Sequence, residues 1–165
     1  MTKHTSIEIE KKYLLRRLPD NLEDYPCHEI EQAYLCTEPV VRVRKEDDTC
    51  YLTYKGKGMM MREEYNLPLN REAYEHLLTK ADGNIISKTR YLVPLEDGLT
   101  AELDQFHSPD STLLMAEVEF SSEEQAQSFM PPDWFGEEVT QDHRYHNSYM
   151  SMSKASYNDH TEEKP

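Results

Sequence analysis

The strongest constraint on this chain is a repeated spacing of two residues between like charges. Glu8 and Glu10 flank Ile9, Arg42 and Arg44 flank Val43, Lys88 and Arg90 flank Thr89, Glu102 and Asp104 flank Leu103, and Glu117 and Glu119 flank Val118. Lys12 extends the first set, Lys55 follows Tyr51 and Thr53 at the same spacing, and Arg62 and Glu64 repeat it. Side chains two apart share one face of a β-strand, whereas a helix sends them to nearly opposite sides. The pattern predicts strands that carry charge on one face, with the sign segregated by strand.

Turn-forming residues cut the same region into eight strands, near Ile7–Arg16, His28–Leu35, Val40–Glu46, Cys50–Lys55, Met61–Leu69, Ile85–Leu95, Leu99–Phe106 and Leu114–Phe120. Gly56-Lys57-Gly58 and Glu96-Asp97-Gly98 supply tight connections. A helix is expected over Arg71–Lys80, capped by Asn70, with Ala73, Leu77 and Leu78 on one face and Gly83 just beyond its end. A second should begin after Ser121 or Ser122, within a Ser121-x-x-Glu124 motif, and reach Met130 before Pro131 and Pro132 stop it. Asp142–Lys154 suits a third helix. The expectation is one mainly β domain over 1–154, followed by a flexible polar tail over 155–165.

The charged faces admit two arrangements. In an open or outward-facing sheet they are simply the solvated side, the ordinary place for ionisable residues. In a closed eight-stranded barrel they can instead point inward, leaving Val43, Leu103 and Val118 outside to pack against the helices. Inward charges must be neutralised by one another, by ions or by a charged ligand. Carboxylates converging from several strands suit a hard divalent cation such as Mg²⁺ or Mn²⁺, and facing Arg and Lys suit the oxygens of a polyphosphate.

Composition narrows the partners. With 32 Asp and Glu against 18 Lys and Arg, a formal charge of −14, the surface is wrong for duplex nucleic acid, although a local basic pocket can still hold a small anion. Only five glycines occur and none forms a phosphate-cradling loop, which excludes a Walker-type nucleotide site. Cys27, Cys36 and Cys50 show neither a Cys-x-x-Cys spacing nor an even disulfide framework. No apolar run is long enough to cross a membrane and no export signal is visible, so a cytoplasmic protein, monomer or homodimer, is expected. His143 and His146 lie three apart without a third ligand at metal-site spacing and read as surface or capping residues. Trp134 reads as part of a Pro-rich turn outside the barrel.

Taken in order, these segments resemble the CYTH, or triphosphate tunnel metalloenzyme, superfamily. Glu8-Ile9-Glu10-Lys11-Lys12 is similar to its ExExK signature. Arg42-Val43-Arg44, Leu52-Thr53-Tyr54-Lys55 and Arg62-Glu63-Glu64-Tyr65 resemble a second block. Lys88-Thr89-Arg90-Tyr91, Glu102-Leu103-Asp104-Gln105-Phe106 and Ala116-Glu117-Val118-Glu119-Phe120 resemble a third. Val139-Thr140-Gln141-Asp142 with Arg144-Tyr145-His146-Asn147-Ser148 looks like the segment that caps one tunnel mouth.

The resemblance implies an eight-stranded antiparallel tunnel, a divalent metal and a small substrate bearing a triphosphate. By position it implies Glu8, Glu10, Asp104, Glu117 and Glu119 as metal ligands, and Lys12, Arg42, Arg44, Lys55, Arg62, Lys88 and Arg90 on the phosphates. Water would be activated by a metal held by Glu8 and the Glu117/Glu119 pair, with Lys88 assisting; Glu64, Glu102 and Arg144 are further lining candidates. Inorganic tripolyphosphate ranks first as substrate. A nucleoside or thiamine triphosphate ranks second, adenylyl cyclase activity third, and a non-catalytic polyphosphate or nucleotide binder is the reading from another class.

Overall fold

The computed structural model describes residues 6–152. Nine strands form one antiparallel sheet: β1 (Ser6–Leu15), β2 (Cys27–Thr37), β3 (Val40–Glu46), β4 (Thr49–Lys55), β5 (Met61–Leu69), β6 (Asp82–Pro94), β7 (Thr100–Ser108), β8 (Leu114–Glu119) and β9 (Phe135–Glu138). Their order is β5-β4-β3-β2-β6-β7-β8-β1-β9, and a further β5–β1 pairing closes the first eight into a barrel. β1 makes the closure by using one edge twice. Its first half, Ser6–Ile9, pairs with β5, while Tyr13 and Leu15 pair with β9; the opposite edge holds β8 from Glu10 to Leu14.

All eight expected strands are present with ends moved by a few residues. β6 starts earlier than expected, at Asp82, and takes in Gly83, which therefore lies in a strand and not at a helix end. The helix before it, α1 (Arg71–Leu78), has the expected cap, with Asn70 accepting from the Ala73 N–H at 2.7 Å. The second, α2 (Glu123–Ser128), is shorter than expected, and its cap is Ser122, one of the two expected positions. Ser122 accepts from the Gln125 N–H, and Gln125 Oε1 in return accepts from the N–H and hydroxyl of Ser121, so Gln125 closes the turn where the Ser121-x-x-Glu124 motif points to Glu124.

The expected third helix is broken. Asp142 caps a short 3₁₀ turn, His143–Tyr145; His146 is then extended, and helix resumes over 147–152, at the limit of the described residues. The tail expected over 155–165 lies outside them. β9 was not anticipated, because four residues following a Pro pair carry little period. It is held by aromatic packing: Phe135 lies 4.9 Å from Tyr13 and 4.6 Å from Trp134 between ring centroids, and both Trp134 and Phe135 are buried against the outer wall.

Apolar faces point outward, as the inward-charge alternative requires. Ile9, Tyr13, Val93, Leu103, Ala116, Val118 and Phe120 form one outer cluster with Ala126 of α2 and the aromatics of β9. Val43 and Cys50 form another beneath Tyr74, Leu77 and Leu78 of α1. The interior itself changes character along its axis. Tyr34, Val40, Ile86, Phe106 and Met115 share the inward parity of the charged positions, yet they make an apolar floor that receives Val139 and Met150 from the C-terminal segment. That end of the barrel is stoppered by hydrophobic contact, and the charged region lies above it.

Candidate active site

Strand register converts the sequence spacing into rings of charge. Across ladders, Glu10 faces Glu119, Lys12 faces Glu117, Glu117 faces Glu102, Arg90 faces Asp104, Lys55 faces Glu64 and Glu8 faces Arg62. The result is a polar cavity of about 280 Å³ lined by Glu8, Glu10, Lys12, Arg42, Arg44, Lys55, Arg62, Glu64, Arg90, Glu102, Glu117 and Glu119. Nearly every predicted residue is brought together in this one space.

On the acidic side, cations hold the carboxylates apart. Lys12 Nζ donates to Glu117 at 2.7 Å and lies 3.4 Å from Glu10, while Lys55 Nζ is 2.9 Å from Glu8 and Arg90 pairs with Glu102. Burial raises the Glu10 carboxyl, and Glu117 raises it further. Burial favours the neutral form of Glu117 too, but Lys12, Arg90 and Lys88 outweigh it and hold that carboxyl well below the usual range. Glu119 has no such cation. Partial burial and the charges of Glu8, Glu102, Glu64 and Glu10 push it up to about 7.

The basic side is the reverse. Arg42 and Arg44 are buried, and neither forms a salt bridge within the described residues. Arg42 Nη2 reaches only the Thr53 hydroxyl at 3.3 Å and its Nε is buried without a hydrogen-bond partner; Arg44 is held by neutral Gln32 and Tyr51. Burial together with Arg42 and Arg90 lowers the Arg44 pKa. Two buried arginines side by side, neither in a salt bridge and with Glu64 the carboxylate that feels Arg42, describe a place prepared for an anion.

Three predicted positions lie outside the cavity lining. Lys88 and Asp104 are sealed in the wall, with Lys88 Nζ 2.7 Å from Asp104 Oδ2 and Arg90 gripping both oxygens of Asp104 at 2.7 and 2.9 Å. Burial, with Arg90 and Arg44 nearby, brings Lys88 down to about 7 despite Asp104. Arg144 is at the outer surface, paired with Asp142 at 2.6 Å, because the 3₁₀ turn directs it away from the barrel. His146, expected at the surface, is buried with Nε2 3.0 Å from the Thr140 carbonyl.

Sequence reasoning missed His28, Tyr34, Glu46 and Tyr51 in the lining, together with Asn147 and Ser148 of the C-terminal segment. Strand parity could have found the first four, since each shares a face with a flagged or neighbouring polar residue. Asn147 and Ser148 lie in the segment that resembles the family's mouth-capping stretch, but nothing local shows that their side chains reach the cavity.

Hard carboxylate oxygens with mutual repulsion form a donor set suited to a divalent cation. Among the described residues no three potential ligands already converge as a closed cage. A cation that keeps waters and takes further oxygens from a phosphate needs only one or two carboxylates, so the residues present fit it.

A closed antiparallel barrel whose lumen divides into a carboxylate-rich side and an arginine side free of salt bridges among the described residues defines a tunnel protein for a polyanion and a cation. The chain belongs to the CYTH domain family, whose pattern matches residues 6–147, and with that family goes metal-dependent chemistry. It is 40% identical over 150 residues to an inorganic triphosphatase of Nitrosomonas europaea, covering 88% of this chain and 97% of that protein. An inorganic triphosphatase of Acetivibrio thermocellus is 40% identical over 113 residues, 67% of this chain and 70% of the relative. The crystal structure of an inorganic triphosphatase superposes with a TM-score of 0.66 at 37% identity, covering 88% of this chain and 94% of the other.

Proposed function

We propose that this chain is a metal-dependent triphosphatase that hydrolyses inorganic tripolyphosphate to pyrophosphate and phosphate within the barrel. The observation that carries the reading is the buried pair Arg42 and Arg44, in no salt bridge among the described residues, facing a carboxylate ring inside one cavity. A non-catalytic polyanion binder would gain nothing from Glu8, Glu10, Glu117 and Glu119 beside a phosphate chain. The relatives named inorganic triphosphatase support the same substrate.

In this reading Arg42, Arg44, Arg62 and Arg90 hold phosphate oxygens, with guanidinium forks matching them in pairs. Lys12 and Lys55 are paired to carboxylates without ligand and turn part of their charge to the phosphates when substrate enters. Glu8, Glu10, Glu117 and Glu119 would hold Mg²⁺ or Mn²⁺, which supplies charge neutralisation and an activated water. Asp104 has both oxygens committed to Lys88 and Arg90, so its role is to fix Arg90, with Lys88 acting through it from behind the wall.

Phosphoryl transfer depends mainly on positioning and charge stabilisation, which the rigid strand register provides. A small triphosphate is the ligand and the cytoplasm the compartment, with the chain acting as a monomer or homodimer. The test is phosphate release from tripolyphosphate, thiamine triphosphate and ATP, each with Mg²⁺, Mn²⁺ or a chelator. Metal-dependent turnover fastest on tripolyphosphate is expected; tight binding without turnover under any metal would overturn the reading.

A further inference from the structure

Behind Arg44 runs a chain of neutral amides that the triphosphatase reading leaves unused. Arg44 Nε donates to Gln32 Oε1 at 2.7 Å, and Gln32 Nε2 donates to Asn147 Oδ1 at 3.0 Å. Lys88 Nζ donates to the same Asn147 oxygen at 3.1 Å. Gln32 is completely buried, on β2, and Asn147 belongs to the C-terminal segment that stoppers the barrel.

The direction of this chain is forced by donor chemistry. A guanidinium can only donate, so the Gln32 atom facing Arg44 must be its oxygen. Its nitrogen is then turned to Asn147, which must answer with oxygen. The two hydrogens on Asn147 Nδ2 are left over. They make no hydrogen bond within the described residues, and Asn147 lines the charged cavity. An amide donor that opens on the cavity, on a residue otherwise only 8% exposed, is placed to meet an acceptor that enters there.

We infer that Asn147 is a substrate-binding residue contributed by the C-terminal segment, donating from Nδ2 to a phosphate oxygen, and that Gln32 is a positioning residue that holds it in this orientation. This rests on the triphosphate reading of the cavity and extends it. Gln32 also ties the same orientation to Arg44, so one buried amide aligns a cationic and a neutral donor on the ligand. Docking of the stopper thereby becomes part of forming the binding site, in addition to closing it.

The experiment is calorimetric titration of tripolyphosphate, with metal chelated, into wild type, Asn147→Ala, Gln32→Met and the double variant, alongside their unfolding midpoints. Loss of a hydrogen bond to a charged group corresponds to roughly tenfold or more in affinity. Asn147→Ala removes the acceptor of buried Gln32 and Lys88 as well, so its midpoint should fall by a few degrees; the folded variant is expected to bind about tenfold more weakly and, in turnover with metal, to show a raised KM at nearly constant kcat. Gln32→Met should weaken binding severalfold, and the double variant should be within about twofold of Asn147→Ala, since the two act through one donor. Asn147→Ala binding like wild type, or losses that multiply in the double variant, would overturn the inference while leaving the functional reading intact. Wild type failing to bind tripolyphosphate would overturn that reading first and this inference with it. Binding of Asn147→Ala is measured well below its own unfolding midpoint, so its result stands even if Gln32→Met does not fold.

Discussion

Replacing Arg42 by methionine should make the ligand-free protein no less stable while crippling its affinity for tripolyphosphate. Methionine keeps an unbranched apolar stem in the wall and removes the charge. Arg42 and Arg44 are two residues apart on β3, a separation of roughly 6.7 Å along the strand. At an effective dielectric constant near 20, their repulsion is about 2.5 kcal/mol. Against this stand the hydrogen bond from Arg42 to Thr53, at 3.3 Å, worth about 1 kcal/mol, and an attraction to Glu64 on the order of 0.5 kcal/mol. The balance favours the variant by roughly 1 kcal/mol, or about 2–4 °C in Tm for a chain of this size. On the binding side, lost charge-assisted contacts of about 1.5–3 kcal/mol reduce affinity by roughly 10- to 150-fold. Scanning calorimetry on the free protein and titration calorimetry with tripolyphosphate read the two effects separately. A variant that loses more than about 2 kcal/mol of stability and keeps wild-type affinity would show that Arg42 is a structural residue, and the argument from uncompensated charge would fail.

Three further outcomes are expected. Glu119→Gln should abolish metal-dependent turnover with the fold retained; because partial burial and then the neighbouring carboxylates raise Glu119 to about 7, the variant should also be the more stable form above that pH, and near wild-type turnover would remove Glu119 from the metal set. His146 is brought down to about 4 by burial and by Lys12, so the unfolded chain takes up its proton between about pH 6.5 and 4 while the folded chain does not. Stability from this group is present above pH 6.5 and lost as pH falls toward 4, by about 1–2 kcal/mol once partial solvent screening is allowed for; urea unfolding of His146→Asn at pH 7.5 and 5 should show a smaller loss than wild type, and equal losses would refute the assignment. Gly83→Ala would place a Cβ 2.4 Å from the Ser151 carbonyl oxygen and 2.9 Å from Met152 Sδ, at a φ of +72°, so it should lower stability by roughly 1–3 kcal/mol and loosen the stopper; hydrogen exchange over 147–152 unchanged from wild type would contradict this.

Most of the site was legible because a strand converts sequence parity into facing. Glu10 and Glu119 needed only their period and the right register to meet, and the same holds for Arg42, Arg44 and Arg90. Gly83 was misplaced for the converse reason: its positive φ serves a close approach by residues nearly 70 positions later, and no local signal distinguishes that from a helix stop. Lys88 and Asp104 carry the same alternation as their neighbours, yet they are absorbed into the wall by Arg90. Parity specifies the face of a sheet, while depth depends on what packs above it.

By itself the amino-acid sequence determined the eight barrel strands, their charged faces and the caps of α1 and α2, since these follow from periods of two and from bonds three or four residues long. Whether the charged faces turned toward water or toward each other was decided only by closure of β1 onto β5, which is a contact between distant segments. The apolar floor, the unpaired state of Arg42 and the arrival of Asn147 beneath Arg44 likewise exist only after closure. Each depends on the balance of desolvation and counter-charge at a point in space, and that balance is a property of the assembled barrel.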